Sequence, residues 1–195
     1  MTQNDISHLF SRYPALADDD LHAVLSRLDE RRFTKKTTLL RAGEVAHEAH
    51  FILNGCMRLY YETDGMDVSA YFFTETMFTG ACESFITQTP SRHFIETVED
   101  CHVLAISHRD LRELYAEVPP TNQLFRAIME ERFAAIHHLF TAQILDSPAE
   151  RYLNLLRTNP DLLNRVPQHQ IATYLGITPV SLSRIRNRVK NQVGT

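Results

Sequence analysis

The stretch that most constrains this chain is Thr121 to Leu145, TNQLFRAIMEERFAAIHHLFTAQIL, which contains no Gly or Pro. Pro119-Pro120 closes off what precedes it, and Asp146-Ser147-Pro148 stops it. Leu124, Phe125, Ile128, Met129, Phe133, Ile136, Leu139, Phe140 and Ile144 spread apolar surface around more of the helix than one stripe. Within that set the 3-4 spacing gathers Phe125, Ile128, Arg132, Ala135, Leu139 and Ala142 into one seam. A helix of this length extends ~37 Å, more than one small domain covers on all sides. It predicts a partner helix and hence a homodimer. It also divides the chain into a larger body before it and a small module after it.

The body has two textures. Ile6, Leu9, Phe10 and then Leu21, Val24, Leu25, Leu28 sit at helical spacing, interrupted by Pro14 and the run Asp18-Asp19-Asp20. This predicts two short helices, the second starting on carboxylates that suit a helix N-terminus. From Phe33 to Ile106, short β-rich runs alternate with turn signals: TTLLRAGE, HFILNGCMRLYYETDGMDVSAYFF and FIETVEDCHVLAIS. Asn54-Gly55 and Asp64-Gly65 are hairpin-turn dipeptides. Short strands at this spacing predict a compact antiparallel barrel or roll. Residues 108–117 read as one more short helix.

After the long run come a helix from Pro148 to Leu156, a shorter one over 161–164, and a break at Val166-Pro167. Then follows QHQIATYLGITPVSLSRIR. Ile171, Ala172 and Leu175 share one helical face, and Gly176 suits a left-handed turn. Thr178 is an N-cap residue with Pro179 at the first helical position. Leu182, Ile185 and Val189 face inward, and Ala172 is small where the two helices cross. This is a helix-turn-helix. The outward face carries Ser181, Ser183, Arg184, Asn187 and Arg188, residue types that bond base edges and phosphates. Gln168 and Thr178, at the starts of the two helices, complete the expected DNA-contacting set.

Charge agrees with that division. The whole chain is at −4, yet residues 146–195 hold 7 Lys+Arg against 3 Asp+Glu, and residues 1–145 hold 13 against 21. The field near the last helix is positive although the sum is negative. Three widely spaced cysteines, Cys56, Cys82 and Cys101, favour neither a disulfide framework nor a zinc site, and suggest a reducing cytoplasm. No apolar run is long enough for a membrane span, and the N-terminus has no secretory pattern. A metal-dependent β-barrel enzyme needs clustered ligands; the nearest approach, His47-Glu48-Ala49-His50, would send its two His to opposite sides of a strand. No catalytic arrangement of Ser, Cys, His and Asp is recognisable, so an enzyme is not expected, nor a metal site.

The segments LLRAGEVAHEAHFILNGCMRLYY, FTGACESFITQTPSRHFIETVEDCHVLAIS and PAERYLNLLRTNPDLLNRVPQHQIATYLGITPVSLSRIR resemble the Crp/Fnr family of bacterial transcription regulators. The resemblance implies an α+β chain. An N-terminal antiparallel β-roll, jelly-roll-like and with flanking helices, forms a cyclic-nucleotide-binding-like effector domain over 1–118. A dimerisation helix follows over 119–145. An all-α helix-turn-helix domain occupies 146–195 and lacks the C-terminal β-hairpin wing of many relatives. The implied function is regulation of transcription by a homodimer on a palindromic operator in double-stranded DNA, with a small anionic effector in the roll. The alternative is an effector-binding module with weak or vestigial DNA binding. The family's effector segment maps onto Gly80, Glu83, Ser84 and Arg92. However, Ala81 replaces the Glu that holds ribose hydroxyls, and His93-Phe94 replace small residues beside the phosphate. Cyclic AMP is therefore disfavoured, and no cofactor is expected. Arg184 matches the family's base-contacting Arg, while Pro179 and Val180 stand where cyclic-AMP-dependent members carry Arg and Glu, which implies a different operator.

Overall fold

Two four-stranded antiparallel sheets form the body of the molecule in a computed structural model that describes residues 16–193. The expected helix around Ile6, Leu9 and Phe10 lies outside the described residues. Helix α1 (Asp18–Leu25) starts on the three aspartates. The strands are β1 (Asp29–Phe33), β2 (Thr38–Leu40), β3 (Glu48–Asn54), β4 (Met57–Thr63), β5 (Met66–Phe73), β6 (Phe78–Thr79), β7 (Phe94–Thr97) and β8 (Cys101–Ser107). One sheet has the order β1-β8-β3-β6 and the other β2-β7-β4-β5. Helix α2 (Cys82–Thr87) lies between β6 and β7, and α3 (His108–Glu117) follows β8, capped by the Ser107 hydroxyl. The long run is one helix, α4 (Thr121–Leu145). Then come α5 (Pro148–Thr158), α6 (Leu162–Arg165), α7 (Gln168–Tyr174) and α8 (Pro179–Val193). Ser147 and Glu150 close a reciprocal capping box at the start of α5.

The first sheet is covered on both faces, which explains the continuous apolar run HFIL. Phe51, Leu104 and Ile106 pack with Val24, Leu114, Leu124 and Phe125 from the helices. Their neighbours Ile52 and Val103 turn to the interior of the roll, with Met57, Phe73 and Cys101. Strands buried on both faces lose the in-out alternation of a half-solvated sheet.

The two turn dipeptides have different roles. Asp64-Gly65 is the expected two-residue hairpin, pairing Thr63 with Met66. Asn54-Gly55 is not a hairpin, because β3 and β4 belong to different sheets. It is the corner where the chain crosses the roll. Gly55 sits at φ +111°, and a Cβ there would come within 2.7 Å of the Asp100 carbonyl oxygen. The alternation Leu59, Tyr61, Val68, Ala70, Phe72 is displaced by a bulge between Leu59 and Tyr60. One buried position on β4 is Arg58, 3% exposed, which is bonded to Glu96, Asp67 and Ser69.

On α4 the seam read from spacing is the face that packs on the protomer itself. Phe125, Ile128 and Ala142 are buried, and Arg132, Ala135 and Leu139 are half-buried. A second stripe faces outward: Phe133 is 72% exposed, Ile136 48%, Phe140 64% and Ile144 63%. Among the described residues no strand follows α8.

Candidate nucleic-acid interface and effector region

Helices α7 and α8 meet over a small core. Ala172 is fully buried at the crossing, with Ile171, Leu175, Leu182 and Val189 around it. Gly176 turns the chain at φ +67°, and the Ile177 N–H reaches back to the Ala172 carbonyl at 2.9 Å. A side chain at that φ would be strained, and its Cβ would lie 3.1 Å from the Gln143 amide oxygen. Gln143 donates to the Tyr174 carbonyl, and Arg151 donates to that of Leu175, so α4 and α5 hold the turn in place. Thr178 caps α8 by accepting from the Ser181 N–H at 3.2 Å.

These contacts set what the last helix presents. Ser183, Arg184, Asn187, Arg188 and Lys190 are exposed together, while Ser181 is half-buried and its hydroxyl accepts from Thr178. Gln168 and Thr178 are exposed at the starts of α7 and α8. Among the described residues neither Arg184 nor Arg188 is tied up in an ion pair. Such a face can donate to phosphates and base edges. Val180, 62% exposed, makes the start of α8 apolar.

The helix-turn-helix is not a free appendage. Helix α7 covers β5, the edge strand of the second sheet: the Ser69 N–H donates to the Thr173 hydroxyl at 3.2 Å, and Tyr174 meets Phe72 edge-on at 5.2 Å. Covering an edge in this way shields it from pairing with another chain and gives the Ser69 N–H a partner. Beside it, Arg165 of α6 grips Glu75 with two bonds, 2.9 and 2.7 Å, and Glu99 with two more. Burial alone would raise the Glu75 carboxyl. Hydrogen bonds from Arg165 and from the backbone N–H groups of Glu75 and Gly55 outweigh it and hold the group low. Spacing gave no hint of this clamp, because its members are 66 and 90 residues apart. Arg165→Ala should destabilise the docked module by ~1–3 kcal/mol, less than the cost of breaking a fully buried pair because these groups are partly solvated. Amide hydrogen exchange should speed up across α7 but not across β3 and β8. Uniform exchange would contradict the clamp.

The expected effector residues do not converge. Gly80 borders two cavities, of about 150 and 620 Å³, but Glu83, Ser84 and Arg92 line neither. Glu83 and Arg92 are exposed. Ser84 is buried and engaged: its hydroxyl accepts from the Ala46 N–H at 2.9 Å and donates to the Thr89 carbonyl at 2.5 Å. His93 is buried edge-on to Tyr61, and burial lowers its pKa. Phe94 stacks on Tyr60 at 4.9 Å. The smaller cavity is instead bordered by Thr79, Tyr71 and Arg132, of which the sequence marked only Arg132, and that as part of the packing seam on the long helix.

Burial withdraws two of the three cysteines, and one of the two histidines His47 and His50, from solvent chemistry. Burial pushes the Cys56 thiol up to about 12 and the Cys101 thiol up to about 11, so neither is a reactive thiolate. His47 bonds Gln88 at the surface, whereas His50 is buried and its pKa is lowered by that burial to about 4. Among the described residues no three His, Cys, Asp or Glu side chains converge as a metal site. No described helix is long and apolar enough to cross a membrane.

Comparison with known proteins agrees with this architecture. Residues 30–118 match the cyclic nucleotide-binding domain family. The chain is 22% identical over 186 residues to the cAMP-activated global transcriptional regulator CRP of Pasteurella multocida, covering 90% of this chain and 89% of that protein. Among solved structures it is similar to the c-di-GMP responsive global regulator CLP of Xanthomonas campestris, with a TM-score of 0.71 and 18% identity over 90% of this chain and 93% of that one. It is also similar to FixK2 of Bradyrhizobium japonicum, with a TM-score of 0.71 and 19% identity over 85% of each chain. A β-roll, a long helix and a helix-turn-helix in this order give the chain the fold of these regulators, and its similarity to regulators of the Crp/Fnr type runs along nearly its whole length.

Proposed function

We propose that the chain binds double-stranded DNA as a homodimer and regulates transcription from a palindromic operator. The observation that carries this is the exposed Ser183–Arg184–Asn187–Arg188 face of α8, presented by a well-packed helix-turn-helix. The outward stripe on α4 supports the dimer, because a contiguous exposed apolar strip marks an interaction surface. In this reading residues 1–118 are the effector domain, 119–145 the dimer helix and 146–195 the DNA-binding domain. The reading is tested by fluorescence anisotropy against duplex DNA at two salt concentrations. Affinity is expected to fall steeply as salt rises, because bound phosphates release counterions. No binding at low salt would defeat it.

Cyclic nucleotide does not fit the residues present. Ala81 offers no carboxylate to ribose hydroxyls, the Ser84 hydroxyl is already bonded on both sides, and Arg92 borders neither of the two cavities described above. Cyclic AMP is therefore expected to leave the thermal midpoint and the DNA affinity unchanged. A saturable rise in the midpoint would contradict this, since a ligand that binds the folded state must stabilise it.

A further inference from the structure

The cavity beneath the long helix has a chemistry that DNA binding does not use. Its volume is about 150 Å³, and its walls include Phe78, Phe85, Leu111, Tyr115, Phe125 and Ile128. Exposed Ile86 and Met129 border it too and give it an edge toward solvent. An apolar cavity of this size accepts one benzene-sized ring.

Two polar groups on the same walls lack partners. Thr79 is 1% exposed, and its hydroxyl is buried with nothing to bond. Arg132 lies over the rings of Tyr71 and Phe73, at 4.2 Å from each, and its Nε is buried and likewise unbonded. No carboxylate pairs with Arg132 among the described residues. A buried donor without an acceptor is destabilising, because it has lost its water without gaining a partner. The aromatic faces offset part of the cost of the cation but do not accept its N–H bonds. Glu131 also borders the cavity, but it is exposed, so water and salt screen its charge.

We propose that this cavity binds a small aromatic carboxylate. The ring occupies the apolar space, and the carboxylate accepts from the Thr79 hydroxyl and the Arg132 guanidinium. One group then satisfies two stranded donors and neutralises a partly buried charge. The binding itself does not depend on the DNA-binding reading. Only its consequence does: Ile128, Arg132 and Ala135 stand on α4, so an occupant bears directly on the helix assigned to the dimer.

Isothermal titration of the full chain with sodium phenylacetate, and with its neutral isostere phenylacetamide, tests the proposal. Phenylacetate should bind saturably, one per chain, and at least about tenfold tighter than the amide, a margin expected of a charge-assisted bond. Arg132→Met should bring the acid down to the affinity of the amide, and Ala135→Phe, which fills the cavity, should abolish binding of both. Absence of saturable heat with phenylacetate, equal affinity for acid and amide, or unchanged binding by a folded Ala135→Phe chain would overturn the site. If either variant fails to fold, the acid-against-amide comparison on the unaltered chain still decides. DNA is absent from the assay, so its failure leaves the DNA-binding reading standing, and the reverse holds as well.

Discussion

A chain carrying Phe133→Asp and Phe140→Asp together is expected to fold and to sediment as a monomer, while the unaltered chain sediments as a dimer. Both rings stand out of the protomer, 72% and 64% exposed, on a stripe continued by Ile136 and Ile144. Each such side chain contributes ~1.5–3 kcal/mol when removed from water. The double change forfeits two of them on each protomer, four in the dimer, and places four carboxylates where apolar contact was needed, which is unfavourable in its own right. A micromolar dimer, held by about 8 kcal/mol, does not survive losses of that size. The protomer should tolerate the change, because its own packing uses the opposite face, with Phe125, Ile128 and Ala142 buried. Equilibrium sedimentation gives the answer. A monomeric unaltered chain, or a variant that remains dimeric, would rule out this stripe as the interface.

The second large effect concerns DNA. Arg184→Ala with Arg188→Ala should weaken duplex affinity by about a thousandfold or more, since each good arginine contact is worth ~1–3 kcal/mol and a dimer loses two on each side. The slope of affinity against salt should become shallower, because fewer phosphates are neutralised. Both side chains are exposed and without ion pairs among the described residues, so the thermal midpoint should hardly move. Leu182→Ala is the contrast. Leu182 is 1% exposed in the core of the helix-turn-helix, and its truncation costs ~2–5 kcal/mol of stability before any contact with DNA is considered. Unchanged affinity in the double arginine variant would remove α8 as the reading helix.

The helices were the most legible part of the fold. The run Thr121–Leu145 ends where its flanking prolines say it must, and Gly176, Thr178 and Pro179 mark the turn and the start of α8 by local chemistry alone. The β-roll was legible as strands but less so as a topology. Asn54-Gly55 has the composition of a hairpin, yet its geometry is set by Asp100 and Cys101, residues distant in sequence that leave no room for a side chain. Strand β1, DERRF, is too charged to stand out; it forms because β8 supplies its whole register, from Asp29 opposite Ala105 to Phe33 opposite Cys101. The seam on α4 was read as one face among several, and only packing against the roll decides which apolar stripe is left outside.

The candidate sites follow the same rule. The face of α8 is local, so helical spacing reveals it. The effector region is not local. Gly80, Glu83, Ser84 and Arg92 form a family pattern, but in this chain Ser84 is spent on Ala46 and Thr89, and Arg92 faces solvent. The cavity lies instead among Thr79, Tyr71 and Arg132, which come from a strand, a second strand and the long helix. The Arg165 clamp on Glu75 and Glu99 is equally invisible to spacing.

The most direct test of DNA reading by a two-fold dimer is selection from a random duplex pool by the full chain. Enrichment of an inverted repeat is predicted, with half-sites centred ~34 Å apart so that two copies of α8 enter successive major grooves on one side of the helix. A pool that stays random after repeated selection, or that converges on a single unrepeated site, would contradict it.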